Sequence, residues 1–183
     1  MQKVFVFLCV LALSFSSFTP AQAESAAPAA AAVVDEKTNP IEKAFAPDFA
    51  SAVATPEIGA VAEAYYDAWK AELQAVSNQI KKAYPVKDDV KRVDAYLADY
   101  ENLAQKAFDL EMLNWLDDPE KPVSERSFGT GGPGAAMLAQ ARIYKQATLN
   151  LITHLQAMNP DVAYTFTYKG KGADLDTLRK QNR

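Results

Sequence analysis

Four of the chain's seven glycines, Gly129, Gly131, Gly132 and Gly134, fall within six positions of the stretch SERSFGTGGPGAAML, residues 124–138. Read literally, they form a G-x-G-x-x-G. That pattern cradles a pyrophosphate when it follows a buried strand and opens a helix, with an acid about 20 residues further on to hold the ribose. Here the glycines follow a helical pattern and a polar loop, and His154 stands where the acid is needed, between Thr153 and Leu155. A P-loop needs Lys-Ser or Lys-Thr after its last glycine, and this chain has Ala135-Ala136. Both nucleotide readings fail on context. The loop is expected to be a bend between two helices, with Thr130 or Ser127 capping the second and the glycines allowing close approach. The alternative is an anion site built from Arg126, Ser127, Thr130 and the N–H groups at Gly131 and Gly132, since a helix N-terminus presents free donors.

The carboxylates offer a second chemistry. At about 100° per residue, Glu111 falls at the centre of an apolar helical face, between Ala104, Ala107 and Trp115. A carboxylate there has a raised pKa or a cation or hydroxyl partner, for which Lys145, Tyr144 and Thr148 are candidates. It could be a general acid in an apolar pocket or a satisfied buried polar group. Glu72 lies near the edge of another helical face, and two acids across a cleft are the equipment of glycoside hydrolysis; nothing in the spacing brings the two together. His154 is the sole histidine, falls off its helix's apolar stripe and has no Glu-x-x-His partner, so no metal site and no cofactor are expected. Among the aromatics, Tyr65 and Trp69 share a core face while Tyr66 points to its edge, a position suited to an interface.

These residues must be positioned by helices. Thr55-Pro56-Glu57 reads as an N-cap, a proline at the first helical position and an early acid. The first long helix is predicted from Pro56 to about Tyr84, with Ile58, Ala62, Tyr65, Trp69, Leu73, Val76 and Ile80 on one face. Asp88 and Asp89 are expected to cap a second, ending near Leu116. The third begins at the glycine loop, carries Met137, Ala141, Tyr144, Thr148, Leu151, Ile152 and Leu155, and closes at Asn159-Pro160. Upstream, Ile41, Phe45, Phe49 and Val53 recur every four residues but are interrupted by Pro47, which predicts one or two short helical turns. The fold class is therefore all-α, an antiparallel bundle of three long helices with short N-terminal turns. After Pro160 the period changes to alternation: Val162, Tyr164, Phe166 and Tyr168 predict a strand. A lone strand has unpaired backbone groups, so it must lie along the bundle, pair with a second copy or accept a partner's strand. Tyr66, Tyr164, Phe166 and Tyr168 are thus the candidate partner-binding residues.

The N-terminus, MQKVFVFLCVLALSFSSFTPAQA, has a charged start, an apolar run from Val4 to Leu13 and Ala21-Gln-Ala23, the layout of a secretory signal. Residues 1–23 are expected to be this signal, 24–39 an Ala/Pro-rich linker, 40–160 the helical domain and 161–183 an extended segment and tail. Cleavage after Ala23 removes Cys9, the only cysteine, so the domain relies on apolar burial rather than disulfides. It also removes Lys3 and moves the net charge from −4 to −5, which gives no electrostatic footprint for nucleic acid. No later segment offers the about 20 apolar residues of a membrane span. The expected location is outside the cytoplasm, in the periplasm for a Gram-negative source.

In order along the chain stand W-x-x-x-L (Trp69–Leu73), L-A-Q-K-A-F (Leu103–Phe108), F-G-T-G-G (Phe128–Gly132) and A-A-M-L-A-Q (Ala135–Gln140). Behind a signal peptide, this order resembles the small periplasmic LprI-type lysozyme-inhibitor-like family over about residues 60–158. The family's cysteines have no counterpart here, and Phe108 stands where its tryptophan is usual. The resemblance implies a helical, non-enzymatic envelope protein whose partner is a lysozyme-type hydrolase; it transfers no binding residue. The alternatives read from the residues are an envelope enzyme or small-ligand or anion binder using Glu111 or the Arg126–Gly134 loop, and a homodimer joined through residues 162–168.

Overall fold

The computed structural model describes residues 39–160 and 163–181. The expected signal peptide, the expected Ala/Pro linker up to residue 38 and Val162 of the expected strand lie outside them. The described residues form five α-helices: α1 Pro40–Ser51, α2 Thr55–Ala83, α3 Lys87–Leu113, α4 Gly132–Met158 and α5 Leu175–Gln181, with a short 3-10 turn at Val123–Glu125 between α3 and α4. The all-α bundle expected from the periodicity is what the chain adopts.

Helix α1 opens on Asn39, whose Oδ1 accepts from the N–H groups of Ile41 at 2.9 Å and Glu42 at 3.3 Å, while Pro40 fills a position whose N–H would be orphaned anyway. Pro47 was expected to break this segment, yet it lies inside a helix of 12 residues. Pro47 and Lys43, whose carbonyl loses its usual N–H donor, are both solvent-exposed, so the orphaned carbonyl is not sealed in the core. Only Ile41 and Phe45 of the four-spaced stripe are buried; the helix stops at Ser51 and leaves Val53 84% exposed.

Helix α2 supplies the largest share of the core: Val61, Ala62, Tyr65, Trp69, Leu73, Val76 and Ile80 are buried on one face, and Glu72 with them. Its start differs from the expected Thr55 cap. Thr55 is inside the helix, and Glu57 instead reaches back to accept the Val53 N–H at 3.0 Å. Asp88 and Asp89 likewise do not cap α3; they sit in its first turn and pair with Lys91 and Arg92.

The three long helices form a row rather than a closed triangle. Helix α4 lies against both α2 and α3 along its length, whereas α2 and α3 meet only briefly. The middle position explains why α4 is apolar on two sides, burying Ala136, Ala141, Tyr144, Ala147, Leu149, Leu151 and Ile152, while α3 buries only Ala104 completely. Small residues let the helices close up: Gly134 of α4 packs on Gly59 of α2, where a Cβ on Gly134 would lie 3.5 Å from the Gly59 Cα.

Past α4 the chain is extended but is not a strand: residues 163–171 make no ladder with any described residue. They run back along α2 as a strap that ends in α5. The expected strand is corrected to this strap. Alternation survives as inward-facing Tyr164, Phe166 and Tyr168, but the backbone donors are taken by a side chain.

Candidate functional site

The glycine loop is ordered by its own hydrogen bonds. Leu116 and Phe128 form an antiparallel bridge; the Gly129 N–H donates to the Trp115 carbonyl at 2.9 Å, the Asp117 N–H to the Ser127 carbonyl at 3.1 Å, and the Ser127 N–H to Asp117 Oδ1 at 2.8 Å. The Arg126 guanidinium turns inward on the loop and donates to the carbonyls of Lys121 at 2.5 Å and Pro119 at 2.6 Å. The expected cap by Thr130 or Ser127 is not formed. Gly131 holds the cap position of α4 with no side-chain hydrogen bond, and the Gly132 N–H donates to the Gly129 carbonyl at 2.9 Å. Of the expected anion site, Arg126 and Ser127 are therefore committed to the loop itself.

The glycines are there for Trp115. A Cβ on Gly131 would come within 2.7 Å of the indole ring, and one on Gly132 within 3.0 Å of the Trp115 Cβ. The flat indole lies over the start of α4 where only glycines admit it. Trp115 in turn explains Glu111. Helix α3 ends at Leu113, three residues before the expected stop, and the chain turns so that the Trp115 indole N–H donates to Glu111 Oε1 at 3.3 Å, with the Asn114 amide donating to Oε2 at 3.4 Å. Glu111 is half-buried beside the indole and is not enclosed in an apolar pocket. Its expected partners are engaged elsewhere: Lys145 pairs with Glu42 at 3.1 Å, and the Thr148 hydroxyl donates to the Tyr144 carbonyl at 2.7 Å.

The buried carboxylate is Glu72, only 1% exposed. It accepts from the Tyr164 hydroxyl at 2.5 Å, the Thr167 N–H at 2.9 and 3.2 Å to its two oxygens, the Thr167 hydroxyl at 2.8 Å and the Tyr168 N–H at 3.0 Å. Burial, and then the hydrogen bond to Glu72, push the Tyr164 hydroxyl well above the ordinary phenol range, so it stays protonated and donates. Two further carboxylates hold the strap. Asp48 Oδ2 accepts the Ala173 N–H at 2.6 Å, and Glu57 pairs with Arg179 at 2.8 Å. Just before Ala173 the chain turns at Gly172 with φ +89°, a conformation glycine adopts freely. Glu72 and Glu111 thus stand in separate structural contacts and share no cleft. The signal for Glu72 was present in the sequence: it follows Trp69 by three and precedes Val76 by four, the spacing of the buried face.

Of the candidate partner-binding residues, Tyr164 is buried, and Phe166 and Tyr168 are half-buried against the core. Phe166 rings against Trp69 and Tyr168 against Phe45, so these three face their own bundle. Tyr66 is half-buried, its ring edge-on to Tyr144 at 5.5 Å with Lys70 Nζ 3.2 Å from its hydroxyl. His154 is exposed, on the rim of a 280 Å³ hollow with Arg92 and Tyr96. Among the described residues no group of three His, Cys, Asp or Glu converges as a metal site.

Two surfaces remain open. One is apolar: Leu103 (47% exposed), Leu110 (68%), Leu113 (52%), Trp115 (38%) and Phe128 (50%) lie along the outer side of α3 and at its end, where the Leu116–Phe128 bridge gathers the last three. The other is a 400 Å³ cleft between α1, α2 and α4, lined by Phe49, Tyr65, Leu138, Arg142 and Lys145. A larger 650 Å³ hollow lies beside the strap, lined by Leu155 and Tyr164 together with polar side chains such as Gln79, Lys82 and Asn159. No described helix is long and apolar enough to cross a membrane. No protein-family model, no curated protein and no solved structure matches the chain.

Proposed function

We propose that this is a non-enzymatic envelope protein that acts by binding a basic protein partner, a lysozyme-type hydrolase being the instance the family resemblance implies. The observation that carries the reading is the exposed apolar end of the molecule, Leu103, Leu110, Leu113, Trp115 and Phe128. Exposed apolar groups that cluster, rather than scatter singly, mark interaction surfaces, and a tryptophan held on a rigid base is the commonest kind of anchor. Residues 109–126 around it carry six carboxylates against Lys121 and Arg126, and Arg126 is folded onto the loop. An apolar centre with an acidic rim suits a cationic partner, because complementary charge speeds encounter and fixes orientation.

The acids that could have done chemistry support the same reading. Glu72 is enclosed by the strap, and Glu111 holds Trp115 in place. Export to the envelope, which the N-terminal sequence suggests, would bring the protein to cell-wall hydrolases. The test is digestion of cell-wall suspensions by a lysozyme with the purified protein added. Slowing that saturates near one equivalent is expected, and unchanged digestion at stoichiometric excess removes the reading.

A further inference from the structure

The cleft between α1, α2 and α4 is a second feature, unrelated to the apolar end of α3. Its floor is Tyr65, which is buried, and its walls are Phe49 and Leu138. Phe49 stands edge-on to Tyr65 with ring centroids 5.3 Å apart, so the wall is firm. Arg142 and Lys145, three residues apart on α4, share one side of that helix and bring two cations to the rim. Glu42 of α1 is the acid facing them: its Oε1 takes the Lys145 ammonium at 3.1 Å and the Tyr65 hydroxyl at 2.5 Å. That carboxylate offsets one cation. The Arg142 guanidinium makes no ion pair or hydrogen bond with any described residue and is exposed at the rim.

We propose that this cleft binds a small monocarboxylate with an apolar body. The volume of 400 Å³ lies within the range of ligand pockets. An aryl or short alkyl group fits between Phe49 and Leu138 over Tyr65, and a carboxylate at the rim meets the planar guanidinium in the two-pronged geometry that arginine favours. Lys145, held by Glu42, adds attraction without needing to move. A cation would be repelled by Arg142.

The experiment is a calorimetric or NMR titration of the full chain with 3-phenylpropionate and, separately, its neutral amide. Binding of the acid with a millimolar or better dissociation constant, as befits a probe of this size, is expected, with the amide at least roughly tenfold weaker. Arg142→Gln should weaken the acid by a similar factor and leave the amide unchanged, and Arg142→Lys should restore part of the loss because charge returns without the fork. Arg142 is exposed, so unchanged thermal unfolding certifies the variants. Equal binding of acid and amide, an Arg142→Gln variant that binds the acid as well as the parent, or no binding at about 10 mM acid overturns the assignment.

Discussion

Glu72 is the residue on which the strap depends. Its two oxygens take the Tyr164 and Thr167 hydroxyls and the Thr167 and Tyr168 N–H groups, and the carboxylate itself is buried. Removing the carboxylate strands a buried phenol and two backbone N–H groups, each costing about 1–3 kcal/mol when left unpaired. Glu72→Ala should therefore destabilise the fold by roughly 3–5 kcal/mol, the range for removing one partner of a buried charged contact. Glu72→Gln keeps the shape but turns an amide N–H towards donors and should lose about half as much. Denaturant unfolding of the two variants checks this. If Glu72→Ala unfolds like the parent, the strap is not held by that contact. At the glycine loop the expected effect is steric. Gly131→Ala places a methyl 2.7 Å from the indole of Trp115 and should cost about 1–3 kcal/mol through displacement of the ring. Trp115→Ala removes the obstacle, so the double variant should be less than additive in a double-mutant cycle.

At the scale of elements, the sequence made the long helices readable because their stops are chemical: Pro85 follows α2 closely, and Asn159-Pro160 ends α4. What it hid were the pairings. Alternation of Tyr164, Phe166 and Tyr168 correctly reported which side chains face inward, yet it reads the same for a strand in a sheet and for an extended strap held by one carboxylate. Thr167 and Glu72 are 95 residues apart, and no local period links them. Glu111 was misplaced for the opposite reason: extrapolating α3 to Leu116 kept Trp115 on the helix, whereas the turn at Asn114 swings the indole onto the glycines. The strap's last anchor has a pH signature. The hydrogen bond from Arg179, then that from the Val53 N–H, lowers the Glu57 carboxyl from 4.5 to about 2. A carboxyl depressed in the folded state adds stability that is complete above pH 4.5 and is lost as pH falls towards 2. The stability difference between the parent and Arg179→Gln should hold steady above pH 5 and shrink between about 4.5 and 2, with salt reducing it throughout. A difference that is flat across that window would show that the pair does not dock α5.

For the whole molecule, the row of helices explains why one end can serve as a binding surface. Helix α4 in the middle is covered on two sides, and α2 is covered by α1, the strap and α5. Among the described residues, helix α3 has α4 along its length and only a brief contact with α2, which leaves its outer side bare and lets Leu103, Leu110 and Leu113 stand in solvent without loosening the core. Substitution there should consequently separate binding from folding. Leu110→Lys, at a position 68% exposed, should change unfolding free energy by no more than about 0.5 kcal/mol. The same change should weaken association with a basic partner tenfold or more, since it puts a solvated charge in the apolar centre. Neutralising the rim with Asp117→Asn and Glu120→Gln should instead slow association and flatten its salt dependence, with a smaller effect on dissociation. Measured against a lysozyme by surface plasmon resonance, the two kinds of variant should thus differ in which rate moves. A partner whose rates are unaffected by both would place the interaction away from the outer side of α3 and its acidic rim.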